Sequence, residues 1–179
     1  MNVKTLLQRY ASGDRDFSNA ELSRADLKGA KLSGINLIRA NLSRARLRQT
    51  NLSGAFLILA ELEEADLSSA TAIVVNFSGA NLTGANLSYS KLSEAILTGT
   101  KLHKANLSNA NLTGAILAGA NLIEANLQNA DLRGANLYGA DLRNANLTNA
   151  AIADTNLRGA NLTGAIVSKD LLKSGVGQW

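Results

Sequence analysis

From Phe17 to Val167 an apolar residue recurs every five positions without one slip of phase, and that period rules out most of the folds open to a chain of 179 residues. With the central apolar residue called position i, 31 five-residue units follow one another. Leu fills 26 of the central sites, and Phe17, Ala72, Phe77, Ile152 and Val167 fill the others. Position i−2 is nearly as uniform. Between residues 20 and 165 it is Ala at 24 of 30 sites, the exceptions being Ile35, Thr50, Val75, Ser90, Thr100 and Thr155.

An α-helix cannot use this pattern. Five residues advance it by about 500°, so successive leucines turn away from one another and no apolar face forms. Extended chain can use it: side chains alternate, so i−2 and i point inward while i−1 and i+1 point outward. The fifth residue, i+2, must break the alternation. It is often Gly or Asn, the residues that best tolerate positive φ, so a corner is expected there. Residues one coil apart should resemble each other, and a spacing of twenty fits: Gly79, Gly99, Gly119, Gly139 and Gly159 form one column, and Asn109, Asn129 and Asn149 another. Four units per coil predict a square cross-section and nearly eight coils from the 31 units. At a rise of ~4.8 Å per coil the rod would be roughly 37 Å long.

The whole chain, 1–179, reads as one domain: a helical cap over 2–13, a β-helix over 15–169 and a C-terminal cap or tail over 170–179. Val3, Leu6, Leu7 and Tyr10 have the spacing of an amphipathic helix, with Asn2 to start it and Gly13 to stop it. At the other end Ser168, Leu171, Leu172 and Gly175 allow a short helix.

The motif itself, in "ANLTG" at 80–84 and "ADLRG" at 130–134, follows the pattern [STAV][DN][LF][STR][GN] and resembles the pentapeptide-repeat proteins over about 151 residues. The resemblance implies a right-handed quadrilateral β-helix, the hand coming from the family alone. The opening "MNVKTLLQRYASGDRDFSNAEL" is similar to that of bacterial, notably cyanobacterial, members.

Composition narrows the chemistry. With no Cys there is no disulfide, thiol nucleophile or cysteine-ligated metal, and with one His there is no imidazole pair. No segment reads as a signal peptide or membrane span, so a cytoplasmic protein without membrane contact is expected. His103, between Lys101 and Lys104, reads as a surface residue. The cluster Glu61, Glu63, Glu64 and Asp66 reads as one half of charge columns, with Arg44 facing Glu64 and Arg46 lying between Asp26 and Asp66. No catalytic residue, metal ligand or cofactor site is expected, and the chain reads as a non-enzyme.

Two surface features remain. Ile38, Phe56, Ile58, Leu59, Ile96, Ile116 and Tyr138 fall on one side of the coil, a candidate face for a protein partner or a second copy of the chain. The charge of +4 is uneven: residues 1–50 hold ten Lys/Arg against four Asp/Glu, and the remainder is −2. Arg24, Lys28, Lys31, Arg39, Arg44, Arg46 and Arg48 form a candidate basic patch for a polyanion. Their spread around the first coils, with few aromatics, disfavours nucleic acid. Some members of the family resemble DNA and engage a type II topoisomerase; a positive chain with no long acidic column departs from that pattern. The expected function is a non-enzymatic, structural or regulatory interaction module, with dimerisation through a coil end or the apolar face.

Overall fold

The computed structural model describes residues 1–167. Parallel bridges join each i−1 residue to the one twenty positions on, from Asp16↔Asn36 through Asn86↔Asn106 to Asp141↔Asn161. A triangular coil would have joined residues fifteen apart. Each side is too short for conventional strands. Among the described residues only the last pair, β1 (Asn146–Leu147) and β2 (Ile166–Val167), is two residues long, parallel, with Asn146 facing Ile166 and Leu147 facing Val167. The sides are numbered in chain order: the first carries central residues 17, 37 and so on to 157, the second begins at 22, the third at 27 and the fourth at 32.

One unit shows where every backbone donor goes. The N–H groups of Leu87 and Tyr89 donate to the coil above, at Asn106 O (2.7 Å) and Ser108 O (3.0 Å). That of Asn86 donates to the coil below, at Ala65 O (2.9 Å), and that of Ser90 closes the corner on Leu87 O (3.2 Å). The fifth, on Ser88, donates to the side-chain oxygen of Asn86 at 3.1 Å. This last bond explains the preference for Asn and Asp at i−1. All 19 such residues between 16 and 161 accept the N–H of their own i+1 residue. The donor left over by the coil-to-coil ladder is thereby satisfied.

Every i+2 residue from 19 to 164 has positive φ, as the corner requires, and 18 of these 30 are not glycine. Each non-glycine there costs of order 1 kcal/mol. The bond closing the corner and the bond from the i+2 residue itself to the next coil offset that cost, so outward chemistry can vary at the corners.

The core is two columns per side. Leucines from 22 to 147 and alanines from 40 to 145 are buried, and stacking fills the narrow interior. Polar exceptions at i−2 are satisfied by carbonyls: Thr50 Oγ1 donates to Leu27 O at 2.8 Å, Thr100 Oγ1 to Phe77 O at 2.9 Å and Ser90 Oγ to Leu87 O at 2.6 Å. Among the described residues no buried side-chain polar atom lacks a partner.

At "TAIVVNF", 71–77, a bulge turning Ile73 inward is the sequence-based expectation for a chain with Ala72 at a leucine position. The structure keeps the regular path instead. Thr71 bridges both Asn51 and Lys91, and Ile73 stays outward, 36% exposed. Ala72 is itself buried, and the next inward residues along the same layer, Val75 and Phe77, are each bulkier than the usual residue and each buried. The cost falls on the corner. Val74 takes φ 55°, which crowds a β-branched side chain, and among the described units this is the one where the i−2 N–H, that of Val75, does not close the turn.

Helix α1 (Val3–Ala11) covers the N-terminal mouth. The Asn2 side chain accepts the Thr5 N–H at 2.8 Å as N-cap, and Gly13 leaves the helix end with φ 96°. Leu6 is fully buried, Val3 and Tyr10 pack against the core, and the Tyr10 hydroxyl donates to Ser33 O at 2.7 Å. Leu7, expected on the same face, is 38% exposed. The mouth accepts one row of side chains, and Leu7 lies beside that row. Arg9 lies over the Phe17 ring and Arg15 over the Tyr10 ring, at 4.9 and 3.9 Å. The expected C-terminal helix, with Ser168, Leu171, Leu172 and Gly175, lies outside the described residues.

Candidate interaction surfaces

With a filled interior, function must come from the outward i−1, i+1 and i+2 columns. The first side carries the apolar set in straight columns. Phe56 and Leu59 are 47% and 48% exposed, Ile116 39% and Tyr138 55%; Ile38, Ile58 and Ile96 are half-buried. The units centred on 57, 77, 97, 117 and 137 hold no charged residue. Leu59 leans over Gly79, where an added Cβ would come within 2.8 Å of its Cδ2. Leu59 thus covers Gly79, and beyond it the corner column is bare, glycine at 99, 119, 139 and 159. Below, an open hollow of about 470 Å³ is lined by Arg15, Asp16, Gly34, Asn36, Ile38 and Phe56.

The basic residues are less scattered than their spacing suggests. The twenty-residue register puts Lys28, Arg46 and Arg48 on the third side and Arg24 and Arg44 on the corner that leads into it. Only Lys31 and Arg39 lie elsewhere. Wrapping round the rod is expected to spread such residues over several faces, whereas i+2 of one side is spatially beside i−1 of the next. Arg44 pairs with Glu64 at 2.8 Å and Arg46 with Asp26 at 3.2 Å.

The acidic cluster is dispersed by the same register. Glu64 faces Arg44, Glu61 accepts from Asn81 Nδ2 at 2.9 Å, and Asp66 accepts from Asn86 Nδ2 at 3.4 Å and does not reach Arg46. Among the described residues no group of three or more His, Asp or Glu side chains is placed to hold a metal. The Nδ1 atom of His103 lies 3.0 Å from Ile123 O, one coil above. No helix among the described residues is long and apolar enough to cross a membrane.

Two ion pairs lie off the twenty-residue columns, each within one side. Arg133 pairs with Asp131 at 2.6 Å and Arg143 with Asp141 at 2.7 Å. Their signal is the short string D-L-R, at 131–133 and 141–143. Hydrogen bonding from each guanidinium holds the carboxyl below the usual carboxylate range. A lowered folded-state pKa means that the added stability is present above the unfolded value of about 3.9 and is lost as pH falls through the folded value. Both arginines are about half exposed or more, so solvent screening keeps the contribution of each pair small. The double variant Asp131→Asn/Asp141→Asn keeps both side-chain oxygens for the backbone. It should melt a few degrees lower than wild type at pH 7, with a gap that narrows as the pH is taken down to 2, by circular dichroism; an equal gap at both pH values would refute the assignment.

The family model described as Pentapeptide repeats matches in eight copies, among them those at residues 20–57, 40–79, 60–99, 76–114, 100–139 and 125–164. Among solved structures, HetL, a pentapeptide repeat protein involved in heterocyst differentiation regulation from the cyanobacterium Nostoc sp. strain PCC 7120, is 32% identical, with 94% of this chain and 98% of that chain covered and a TM-score of 0.36. QnrB1, a plasmid-mediated fluoroquinolone resistance protein, is 23% identical, with 84% and 83% covered and a TM-score of 0.50. Rfr23, from the cyanobacterium Cyanothece 51142, is 30% identical, with 81% and 88% covered and a TM-score of 0.26. No curated protein matches the chain. Pentapeptide-repeat proteins form right-handed quadrilateral β-helices, and the unbroken five-residue period, the twenty-residue register and the family match together place this chain in the pentapeptide-repeat family.

Proposed function

We propose that this protein is a non-enzymatic interaction module whose first side binds a protein. One observation carries the reading: five successive coils of that side hold no charge and expose Phe56, Leu59, Ile116 and Tyr138 on a rod whose interior is already full. Exposed apolar columns of this length gain from burial against another surface and do nothing for the fold that Asn, Ser and Thr do not do elsewhere. A regulatory role, of the kind named for HetL, needs only such a surface.

The test is affinity purification from the native organism with wild type and with Phe56→Glu/Ile58→Glu as bait. Both substitutions are outward and leave the core columns intact. A partner recovered at least tenfold less with the variant supports the reading, and equal recovery rejects this face. A second reading rests on the third side, where Arg24, Lys28, Arg44, Arg46 and Arg48 converge and only Arg44 and Arg46 have acidic partners. That surface suits a polyanion, with retention on heparin that falls steeply with salt. Imitation of DNA fits poorly with a chain of net charge +4, and the likeness to QnrB1 extends to the fold alone.

A further inference from the structure

We propose that the occupant of the first side is a second copy of this chain, laid antiparallel across a two-fold axis that passes midway between the coils centred on 77 and 97. The proposal rests on the reading above that this side binds protein and names the protein.

The relief of the side carries the argument. A two-fold axis along the strand direction keeps each column over itself and inverts the order of coils, so coil 57 meets coil 117, 37 meets 137, 17 meets 157 and 77 meets 97. The corner column runs Asn19, Arg39, Leu59, Gly79, Gly99, Gly119, Gly139, Gly159. Under this axis each large residue meets glycine: Leu59, leaning over Gly79, lies against Gly119 and Gly99, Arg39 against Gly139 and Asn19 against Gly159. The i+1 column behaves in the same way. Ile58 falls over Ala118, and Ile38 meets Tyr138, whose ring reaches the hollow of about 470 Å³ beside Ile38. Phe56 falls over Ile116, both exposed.

Charges agree with the register. The five uncharged units meet one another or coil 37, and the outermost coils bring Arg158 of one copy opposite Ser18, one outward position from Asp16. A two-fold axis parallel to the rod would keep each coil level with itself and reverse the columns, so that Phe56 meets Ile58 and Asn136 meets Tyr138 while Leu59, Arg39 and the glycine column fall at the edge of the contact. Both arrangements are isologous, but the relief of the corner column is matched in the antiparallel one.

The size of the patch sets the strength. Eight layers and a width of about four residues give a strip of roughly 34 by 13 Å, or about 440 Å² on each copy before relief is counted. About 900 Å² in total is below the 1,200–2,000 Å² of tight complexes, so dissociation in the range of tens of micromolar is expected.

Sedimentation of the full chain should show a dimer at about 100 µM that separates on dilution. Gly119→Lys should shift the protein to monomer at every concentration. The corner tolerates lysine: a Cβ on Gly119 meets nothing within 4 Å, and Lys104 holds φ 56° at the equivalent place on the second side. Gly134→Lys, with an equally open Cβ on the fourth side, should melt alike and remain dimeric. The chain has no native cysteine, so a short thiol cross-linker reads the register directly. A mixture of Ile58→Cys and Ala118→Cys proteins should cross-link, and either alone should not. Cross-linking of each variant with itself, or a wild type that stays monomeric at about 100 µM, overturns the proposal. If the monomer persists while Phe56→Glu/Ile58→Glu still loses a partner, the interaction function survives without self-pairing; if neither effect is seen, both fall.

Discussion

A chain lacking residues 101–120 should fold into a rod one coil shorter, whereas a chain lacking Ser108 alone should lose much of its structure. Deleting 101–120 joins Thr100 to Asn121, an i−2 residue to an i−1 residue, so the phase is unbroken. Every bridge along the rod joins residues twenty apart, and Asn81, which faces Lys101, then faces Asn121 with the same backbone partners. One coil interface is lost out of about seven, and stability in such arrays is close to a sum over neighbours. Loss of Ser108 leaves a four-residue side beneath a five-residue one. Leu112 and all later central residues move one place along the coil, which turns inward columns outward. The expected result is a melting point within about 10 °C of wild type for the coil deletion and a fall of more than about 15 °C, or two separate transitions, for the point deletion. Circular dichroism and calorimetry measure both; similar melting of the two deletions would show that register is not what holds the rod together.

Replacing Leu107 by Ala should cost about 3–5 kcal/mol, a large part of the 5–15 kcal/mol available to a domain. Leu107 is fully buried, stacked between Leu87 and Leu127 in a core close to two columns per side, and the rigid ladder of bonds around it prevents collapse into the cavity. Leu162→Ala removes the same atoms from the last coil, where the side chain is only half-buried, and should cost about a third as much. Urea unfolding compares the two, and equal losses would mean that the interior is softer than the bond ladder implies.

The columns, the corners and the square section were legible because identical layers make the same demand eight times over, and one slip of phase would have been visible. What escaped was local. The bond from Asn or Asp to the i+1 amide is invisible to a reading that asks only which side chains point outward. Asp131–Arg133 and Asp141–Arg143 lie within one side and not along a column. The signal at Ala72 lies in its neighbours Val75 and Phe77, each bulkier than the usual inward residue. On the surface, the apolar residues of the first side were found by position, while the convergence of Lys28, Arg46 and Arg48 with Arg24 and Arg44 needed the corner geometry.

The ladder of bonds also gives the rod an electrical direction. In each unit two amide N–H groups point toward the C-terminal end and one points back, as for Leu87, Tyr89 and Asn86. About one peptide dipole, roughly 3.5 D, is therefore uncancelled per unit and aligned with the axis. Unlike a helix, the N-terminal end is the negative pole, rimmed by carbonyl oxygens; there the terminal ammonium of Met1 donates to Glu21 O at 3.2 Å. The six surplus positive charges of the first fifty residues sit at the pole that attracts them, so part of that excess serves the backbone's own field before it serves any ligand.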